Sequence, residues 1–323
     1  MNELLAPFDG LLERLATPEA IRAIEGGAPW AALWRDLDDS GFLDALVEEA
    51  RGGAGLALAE VEPLIAAAGA RAVPLPVAET MVARALIAAA GHAVPLGPIA
   101  LAASPLAGQT VTHGLVADHI LLDTGTTLVL AARDDLAPTS TGVHRALSAR
   151  VTWDGAPHGL SIARPAHGLR PIAAVLRATL IAGAAARLTE LTTAYANDRV
   201  QFGKPIGKQQ ALQQQLAVMA EDMIAARIAA QMGCAAGLAV APVQAAVAKA
   251  TASAVAPRIA NTAHAVHGAI GISEEYTLQL LTRRLHEWRM ADGSEGYWNA
   301  VLGGARLGDT AHSVDWVRTQ VFA

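Results

Sequence analysis

Four long stretches of helical periodicity in the C-terminal half constrain the fold more than any other feature of the chain. The connections between them are short, and short connections between long helices are typical of an antiparallel bundle. The stretches span residues 172–197, 208–238, 242–267 and 275–290. In the second stretch, apolar side chains from Leu212 to Ile224 form one stripe, as in a helix that buries a single face. The pattern predicts a C-terminal four-helix bundle.

The rest of the chain divides into two further zones. The first zone shows apolar residues at three- and four-residue spacing, which predicts helices, and Thr17 followed by Pro18 is a typical helix start. The second zone contains short β-prone runs, such as Thr127-Leu-Val-Leu-Ala-Ala132, separated by Gly, Pro, Asp and Thr. We expect a mainly α fold with a small, antiparallel β domain. Its parts are an N-terminal helical domain (1–92), a short middle β domain (93–168) and the C-terminal bundle (169–323).

Composition and charge exclude several classes of protein. The formal net charge of −6 argues against a nucleic-acid binder, because phosphate binding needs a basic surface. No stretch of about 18 or more residues is both apolar and free of charged residues, so we expect no membrane span. Cys234 is the single cysteine, which leaves no internal disulfide, and Glu3 stands where a signal peptide would be basic. We therefore expect a cytoplasmic protein.

The connection between the first two bundle helices carries the strongest functional signal. It reads Tyr195-Ala-Asn-Asp-Arg-Val-Gln-Phe-Gly-Lys-Pro-Ile206 and is followed by Gln210. An arginine fork can hold a pyrophosphate at two points, and a phenylalanine ring can cover a flat heterocycle. Two of the chain's three lysines, Lys204 and Lys208, lie in the same loop, which indicates an anion nearby.

The same connection resembles the acyl-CoA dehydrogenase signature R-x-Q-F-G-K-P-I followed by Q-x-x-Q. The resemblance continues in the right order and covers most of residues 172–305. The further matching stretches are Leu216-Ala-Val-Met219, Arg227, Ala248-Lys-Ala250, Val266–Gly271, Glu274-Glu-Tyr276, Arg283 and Ala291-Asp-Gly-Ser-Glu295. Residues 33–37, 41–42, 52–56 and 74–76 match the family's N-terminal domain more loosely.

This resemblance implies a reaction and its ligands. The cofactor would be FAD, and the substrate a fatty or related acyl-CoA thioester, including steroid side-chain thioesters. The reaction would be α,β-dehydrogenation, in which a carboxylate removes the α-proton while the β-hydrogen leaves as hydride to the flavin. Electrons would then pass to an electron-transfer flavoprotein.

The resemblance also assigns residues to FAD. These are Arg199, Gln201, Phe202, Gln210, His267, Gly268 and Ser294. The first four would reach the FAD of a neighbouring subunit. The family's Q-x-H-G-G motif, which contacts the adenosine-diphosphate part of FAD, lacks its Gln here and carries Ala269 in place of its second Gly. From its surroundings alone, His267 is a structural histidine, and we predict no metal site.

The family's catalytic Y-E-G-T turn corresponds to Ala291-Asp-Gly-Ser294. Asp292 is therefore the candidate base, one methylene shorter than the family's Glu, and Gly293 is expected to contact substrate. A helix-capping aspartate is the alternative role for Asp292. Some relatives place the base at the start of the first C-terminal helix, but no Asp or Glu occurs between Asp154 and Glu190.

Arg177 lies about one helical turn from the position where the family carries a CoA-contacting arginine. We therefore expect Arg177 to bind substrate, with a surface salt bridge as the alternative. The middle domain is short, and Ser104-Pro-Leu-Ala-Gly108 is at most a remnant of the family's T-E-P-x-x-G-S-D segment, which forms one wall of the flavin site.

Three functions remain open at this point. The first is a FAD-dependent acyl-CoA dehydrogenase that assembles as a homo-oligomer. The second is a non-catalytic or half-site subunit that completes the flavin site of a full-length acyl-CoA dehydrogenase in a heteromer. The third keeps the fold but changes the flavin reaction, as in flavin-dependent monooxygenases and nitroalkane oxidases.

Overall fold

The computed structural model describes residues 3–322, and over this range helices precede and follow two small sheets. The α-helices before the sheets are α1 (Leu5–Leu15), α2 (Pro18–Glu25), α3 (Ala31–Asp39), α4 (Leu58–Ala70) and α5 (Val77–Ala89). Helix α2 begins as predicted, because the Thr17 side chain accepts a hydrogen bond from the Ala20 amide at 3.2 Å.

The middle of the chain contributes seven short strands within the described residues. They are β1 (Ile99–Ala102), β2 (Gln109–Val111), β3 (His119–Asp123), β4 (Thr127–Ala132), β5 (Thr139–Ser140), β6 (Ala149–Val151) and β7 (Leu160–Ala163). They form a four-stranded sheet of order β1-β3-β4-β7 and a three-stranded sheet of order β2-β6-β5. Side chains such as Ile120 and Val151 pack together in a small core that both sheets share.

The expectation of a purely antiparallel middle domain was wrong in one respect. Strand β1 pairs with β3 in parallel, with Ile99 opposite His119. After β1 the chain leaves to form β2 in the other sheet, and it then returns to run beside β1 in the same direction. Parallel neighbours need such an excursion, because a tight turn can join only antiparallel strands.

The helices after the sheets form the predicted bundle. They are α6 (Leu169–Asp198), α7 (Gln210–Ala235), α8 (Pro242–His267) and α9 (Leu278–Met290), followed by α10 (Glu295–Leu307) and α11 (Ser313–Gln320). A two-stranded hairpin, β8 (Val200–Gln201) with β9 (Lys204–Pro205), joins α6 to α7. The first four helices lie where the periodicity predicted them, with ends that differ by a few residues.

Helix α6 is the core helix of the bundle and also packs against α4 of the N-terminal part. It is long and apolar enough to cross a membrane, but 89% of its most apolar stretch is buried inside the fold. Glycines allow α4 and α6 to approach closely. A Cβ added to Gly69 would collide with the Leu180 carbonyl, and one added to Gly183 would collide with the Ala66 carbonyl.

We expect Gly183→Ala to lower the free energy of unfolding by about 1–3 kcal/mol, because the added methyl group forces α4 and α6 apart. Gly10→Ala is the matched control, since Gly10 lies within α1 and nothing is within 4 Å of an added Cβ. This control should be neutral or stabilise by roughly 0.4–1 kcal/mol. Urea unfolding of both variants measures the difference, and equal effects would contradict the close approach.

Candidate active site

Asp292 lies in a strained turn between α9 and α10. Its φ is +57°, a left-handed value that costs energy for a residue with a Cβ, and the φ of Gly293 is +107°. The Trp298 indole nitrogen donates to the Asp292 carbonyl at 3.1 Å. A Cβ on Gly293 would lie 2.7 Å from the rings of Tyr297 and Trp298, so this position requires glycine. Strain of this kind is common at functional sites.

Arg177 holds the carboxylate of Asp292 from inside the fold. The Arg177 side chain is 1% exposed, and its Nε donates to Oδ2 of Asp292 at 3.0 Å. Its Nη1 donates to Oε1 of Glu79 at 2.5 Å. Burial lowers the pKa of Arg177, but the two carboxylates outweigh burial and raise it, so the guanidinium stays charged. The side chain expected to contact CoA therefore lies behind the candidate base, in a buried ion pair and not on the surface.

Glu79 completes the network from α5. It is fully buried, and its carboxylate also faces Nδ1 of His113 at 3.3 Å, in the segment between β2 and β3. Burial raises the pKa of Glu79, but Arg177 and His113 outweigh burial and hold it at about 2. The three parts of the fold thus meet at one set of charges. Sequence reasoning missed Glu79, although it is an acidic residue in the otherwise apolar start of α5.

A cavity of about 650 Å³ opens between the three-stranded sheet and α9. Ligand sites commonly have volumes of about 300–1,000 Å³. The sheet side contributes hydroxyl groups, and the helix side contributes charged and apolar groups. The lining residues include Thr110, Thr112, Ser148, His286, Glu287, Met290 and Asp292. The candidate base therefore belongs to the wall of a cavity of ligand size.

Glu287 is a second carboxylate in this wall, and the sequence analysis did not single it out. The Ser148 hydroxyl donates to its Oε1 at 2.6 Å, and Arg284 donates to its Oε2 at 2.6 Å. Burial raises the pKa of Glu287, but Arg284 and His113 outweigh burial and lower it to about 2. With both oxygens occupied, Glu287 is suited to fixing the wall and poorly suited to accepting a proton.

The hairpin between α6 and α7 lies apart from this cavity and faces outward. Phe202 has a φ of +51° and is 91% exposed, and Arg199 and Gln201 are also exposed. Gln210 is exposed at the start of α7. This exposure leaves the Phe202 ring accessible to a neighbouring molecule. The structure brings these four residues to one end of α6 and α7 and does not bring them to Asp292 in the same chain.

The remaining predicted FAD residues occupy different environments. His267 is buried, its Nδ1 lies 2.8 Å from the Ala263 carbonyl, and its ring stacks on Tyr195 at 4.3 Å. Gly268 is exposed, with a φ of +63° and nothing within 4 Å of an added Cβ. Ser294 is half-buried and precedes α10 without a capping hydrogen bond from its side chain.

The comparisons with known proteins agree with this architecture. The family model for the acyl-CoA dehydrogenase C-terminal domain matches residues 172–302. The chain is 31% identical over 284 residues to the acyl-CoA dehydrogenase IpdE2 of Mycolicibacterium smegmatis. The alignment covers 85% of this chain and 89% of that protein. The chain belongs to the acyl-CoA dehydrogenase family. The expected class, a flavoprotein oxidoreductase acting on CH–CH groups, is thus confirmed at the level of the family.

Solved structures of acyl-CoA dehydrogenases share the fold. A chain of the ChsE4–ChsE5 complex from Mycobacterium tuberculosis superimposes with a TM-score of 0.82 at 22% identity, covering 96% of this chain and 97% of that one. A Tcur3481–Tcur3483 steroid ACAD variant gives a TM-score of 0.79 at 24% identity, covering 95% and 98%. The predicted mainly α fold with a small β region is therefore confirmed.

The Glu79–Arg177 pair of this acyl-CoA dehydrogenase should make stability depend on acid pH. Because the folded state lowers the pKa of Glu79 from 4.5 to about 2, its contribution is complete above pH 4.5 and is lost as pH falls toward 2. Glu79→Gln should lower the free energy of unfolding at pH 7 by about 3–5 kcal/mol, since it breaks a buried ion pair and leaves Asp292 as the remaining carboxylate partner of Arg177.

The variant should also lose stability less steeply than wild type between pH 4.5 and 2, which chemical unfolding at several pH values measures. Glu221→Gln on the exposed face of α7 is the control and should follow the wild-type curve. Parallel curves for Glu79→Gln and wild type would contradict the pKa shift.

Proposed function

We propose that the chain is a FAD-dependent acyl-CoA dehydrogenase that converts an acyl-CoA thioester to the enoyl-CoA, with Asp292 as the base that removes the α-proton. The observation that carries this proposal is the placement of Asp292. Its side chain is 14% exposed, it borders a cavity of ligand size, and it stands on a strained turn fixed by a buried arginine. A carboxylate held in this way is preorganised for proton transfer.

The contacts of Asp292 suggest how the proton transfer would be organised. Arg177 binds Oδ2, and no residue between 3 and 322 hydrogen-bonds Oδ1, so Oδ1 would accept the α-proton. The adjacent guanidinium fixes the carboxylate in one orientation at the edge of the cavity. Arg177 would therefore contribute to proton transfer by holding Asp292 in the correct position. Substrate binding would displace water from the cavity and strengthen this arrangement.

The residues of the chain fit FAD in two places. FAD, when bound, takes up the hydrogen that leaves the substrate β-carbon as a hydride. The hydroxyl groups of Thr110 and Thr112 would offer hydrogen bonds to a flavin ring in the cavity, whereas the Ser148 hydroxyl is already donated to Glu287. In the family a threonine at the position of Ser294 contacts the flavin, and Ser294 would do so here with the hydroxyl it retains.

The outward hairpin would serve the FAD of a neighbouring subunit. Arg199 and Gln201 would bind its phosphates or polar edge, Phe202 would cover it, and Gln210 would add a polar contact. The open backbone at Gly268 leaves room for the adenosine-diphosphate part. Because its ring is buried, His267 would act by packing this corner against Tyr195 rather than by direct contact.

Substrate and partners follow from the relatives. IpdE2 is named an acyl-CoA dehydrogenase, and one of the solved relatives is described as a steroid ACAD. We propose that this chain also acts on a fatty or steroid side-chain acyl-CoA in the cytoplasm, with an electron-transfer flavoprotein as acceptor. Gly293 would lie beside the thioester.

The three proposed domains meet near residues 92 and 168.

A second function is favoured by a separate observation. The solved ChsE4–ChsE5 and Tcur3481–Tcur3483 structures each contain two different chains. In this chain the sequence lacks the family's usual flavin-wall segment, and the hairpin points away from the chain's own cavity. The chain would then be a half-site subunit that completes the FAD site of a full-length acyl-CoA dehydrogenase in a heteromer.

Asp292→Asn should lower kcat by about a hundredfold or more, because a general base contributes roughly 10²–10⁴. FAD content should stay unchanged, and Asp292→Glu, the control that keeps the carboxylate, should retain much of the activity. Octanoyl-CoA and a steroid side-chain acyl-CoA are the probes, with bleaching of the bound flavin as the readout. Full turnover by the Asn variant in a fully loaded assembly would favour the half-site function instead.

Phe202→Ala and Arg199→Ala should each reduce FAD bound per chain by at least half, since both groups are exposed and would meet the cofactor of the adjacent subunit. The visible spectrum of the purified assembly measures the FAD content. Phe322→Ala is the control, because Phe322 is another exposed aromatic residue outside the hairpin. Unchanged FAD content in both hairpin variants would count against the assignment.

A further inference from the structure

Lys249 differs from the other lysines of the chain in being completely buried. It lies in α8 with 0% exposure, whereas Lys204 and Lys208 are exposed in the loop after α6. Lysine is almost never fully buried unless its ammonium has partners, because removing the charge from water is costly. The burial of Lys249 therefore calls for a specific set of acceptors.

The acceptors lie on both sides of Asp292. Nζ of Lys249 donates to the Arg289 carbonyl at 2.8 Å and to the Gly293 carbonyl at 2.8 Å. Its third donor meets Oγ of Ser253 at 2.9 Å. An ammonium group has three N–H donors and no acceptor, so these contacts use all of them. One side chain thus bridges the last turn of α9 and the residue after the candidate base.

This bridge meets a need of the local backbone. A helix end leaves carbonyl groups without intrahelical partners, and a cation there is favourable. The Arg289 carbonyl is one of these groups, and the chain then enters the left-handed conformations of Asp292 and Gly293. Trp298 and Arg177 reach the Asp292 carbonyl and side chain, and a half-buried ion pair joins the side chains of Arg289 and Glu295. Lys249 joins the entry of the turn to its exit from inside the fold, through the backbone carbonyls themselves.

We propose that Lys249 is a positioning residue for the dehydrogenation: its ammonium, bound to the Arg289 and Gly293 carbonyls, holds the turn in the shape that presents Asp292 to the cavity. This role rests on the proposed assignment of Asp292 as the base. It does not require Lys249 to touch substrate or FAD.

The proton on Lys249 gives this role a pH signature. Burial lowers the pKa of the Lys249 ammonium to about 7, and the attraction of Asp292 opposes this. The charged groups that face it are Asp292 and Arg177 on one side and Glu295 and Arg289 on the other. Above its pKa the neutral Lys249 amine has only two N–H donors for its three acceptors, so one of these hydrogen bonds is lost. Activity should therefore fall as pH rises through about 7.

Stability should move in the opposite direction. Between pH 7 and 10.5 the unfolded chain keeps the Lys249 proton that the folded chain has lost, so the free energy of unfolding rises with pH in this window. A lysine that merely filled space in the core would give no matching loss of activity. The opposed pH responses separate positioning from a structural role.

Lys249→Met tests the proposal in the FAD-loaded assembly, with Ile65→Val in the core of α4 as the control for a modest loss of stability. We expect kcat to fall on the order of ten- to a hundredfold, as a displaced catalytic group would cause, while KM stays within about twofold. The alkaline fall of kcat near pH 7 should be present in wild type and the control and absent in Lys249→Met.

Hydrogen–deuterium exchange supplies a readout that needs no turnover. Amides of residues 289–294 should exchange faster in Lys249→Met than in wild type and Ile65→Val. Unchanged exchange there, or unchanged kcat, would overturn the proposal. If Lys249→Met does not fold, Lys249→Gln keeps an amide donor and takes its place. Unchanged kcat together with unchanged exchange of residues 289–294 in Lys249→Gln would then overturn the proposal.

The two proposals fail in different ways. If Asp292→Asn retains turnover, the assignment of the base is wrong whatever Lys249 does. If Asp292→Asn abolishes turnover but Lys249→Met leaves kcat and exchange unchanged, the base stands and the role of Lys249 is wrong.

Discussion

The buried guanidinium of Arg177 is the interaction on which the rest of the site depends. It joins Glu79 of the N-terminal helices to Asp292, which follows helix α9 of the bundle. His113, in the middle part of the chain, faces the Glu79 carboxylate. Removing one member of a buried ion pair leaves an uncompensated charge, at a cost of about 3–5 kcal/mol. The candidate base is therefore correctly held only when all three parts of the fold are packed together.

Small side chains in the bundle make this arrangement possible. Gly69 and Gly183 let α4 approach α6, and alanines line much of α6 and α8. Because these small side chains occupy little space between the helices, a long side chain on a central helix can reach the turn that carries Asp292. Arg177 does so from α6 and Lys249 from α8. The core thus has small residues instead of large apolar ones at these positions, and the space is used by two buried cations that hold one polar turn.

The sequence predicted what is local and missed what is distant. The helices of the bundle, the Thr17 cap and the short connection between α6 and α7 are each encoded within a few residues, and all were predicted. Asp292 was found because a short motif surrounds it. Its support was not, because Arg177 lies 115 positions earlier and Glu79 a further 98.

Two particular cases show the same limit. Periodicity placed Arg177 on a helix but could not say which face, since α6 is buried on nearly every side. Strand propensity found β4 but could not reveal that β1 runs parallel to β3, because pairing is decided by the path of the chain through the second sheet. Lys249 lay within a matching motif, yet its role is visible only where the carbonyls of Arg289 and Gly293 converge on it.

The division between an inward base and an outward hairpin has a consequence for assembly. Asp292 and its cavity face the interior of one chain, while Phe202 projects from the far end of α6 into solvent. If both serve FAD, one complete site draws its base from one chain and its covering ring from another. A homo-oligomer and a heteromer obey this rule equally and differ only in which chain supplies the facing hairpin. In a heteromer, an intact motif in the other chain can complement a degenerate motif in this one, so a departure such as Ala269 is easier to accommodate there than in a homo-oligomer, where every copy carries it.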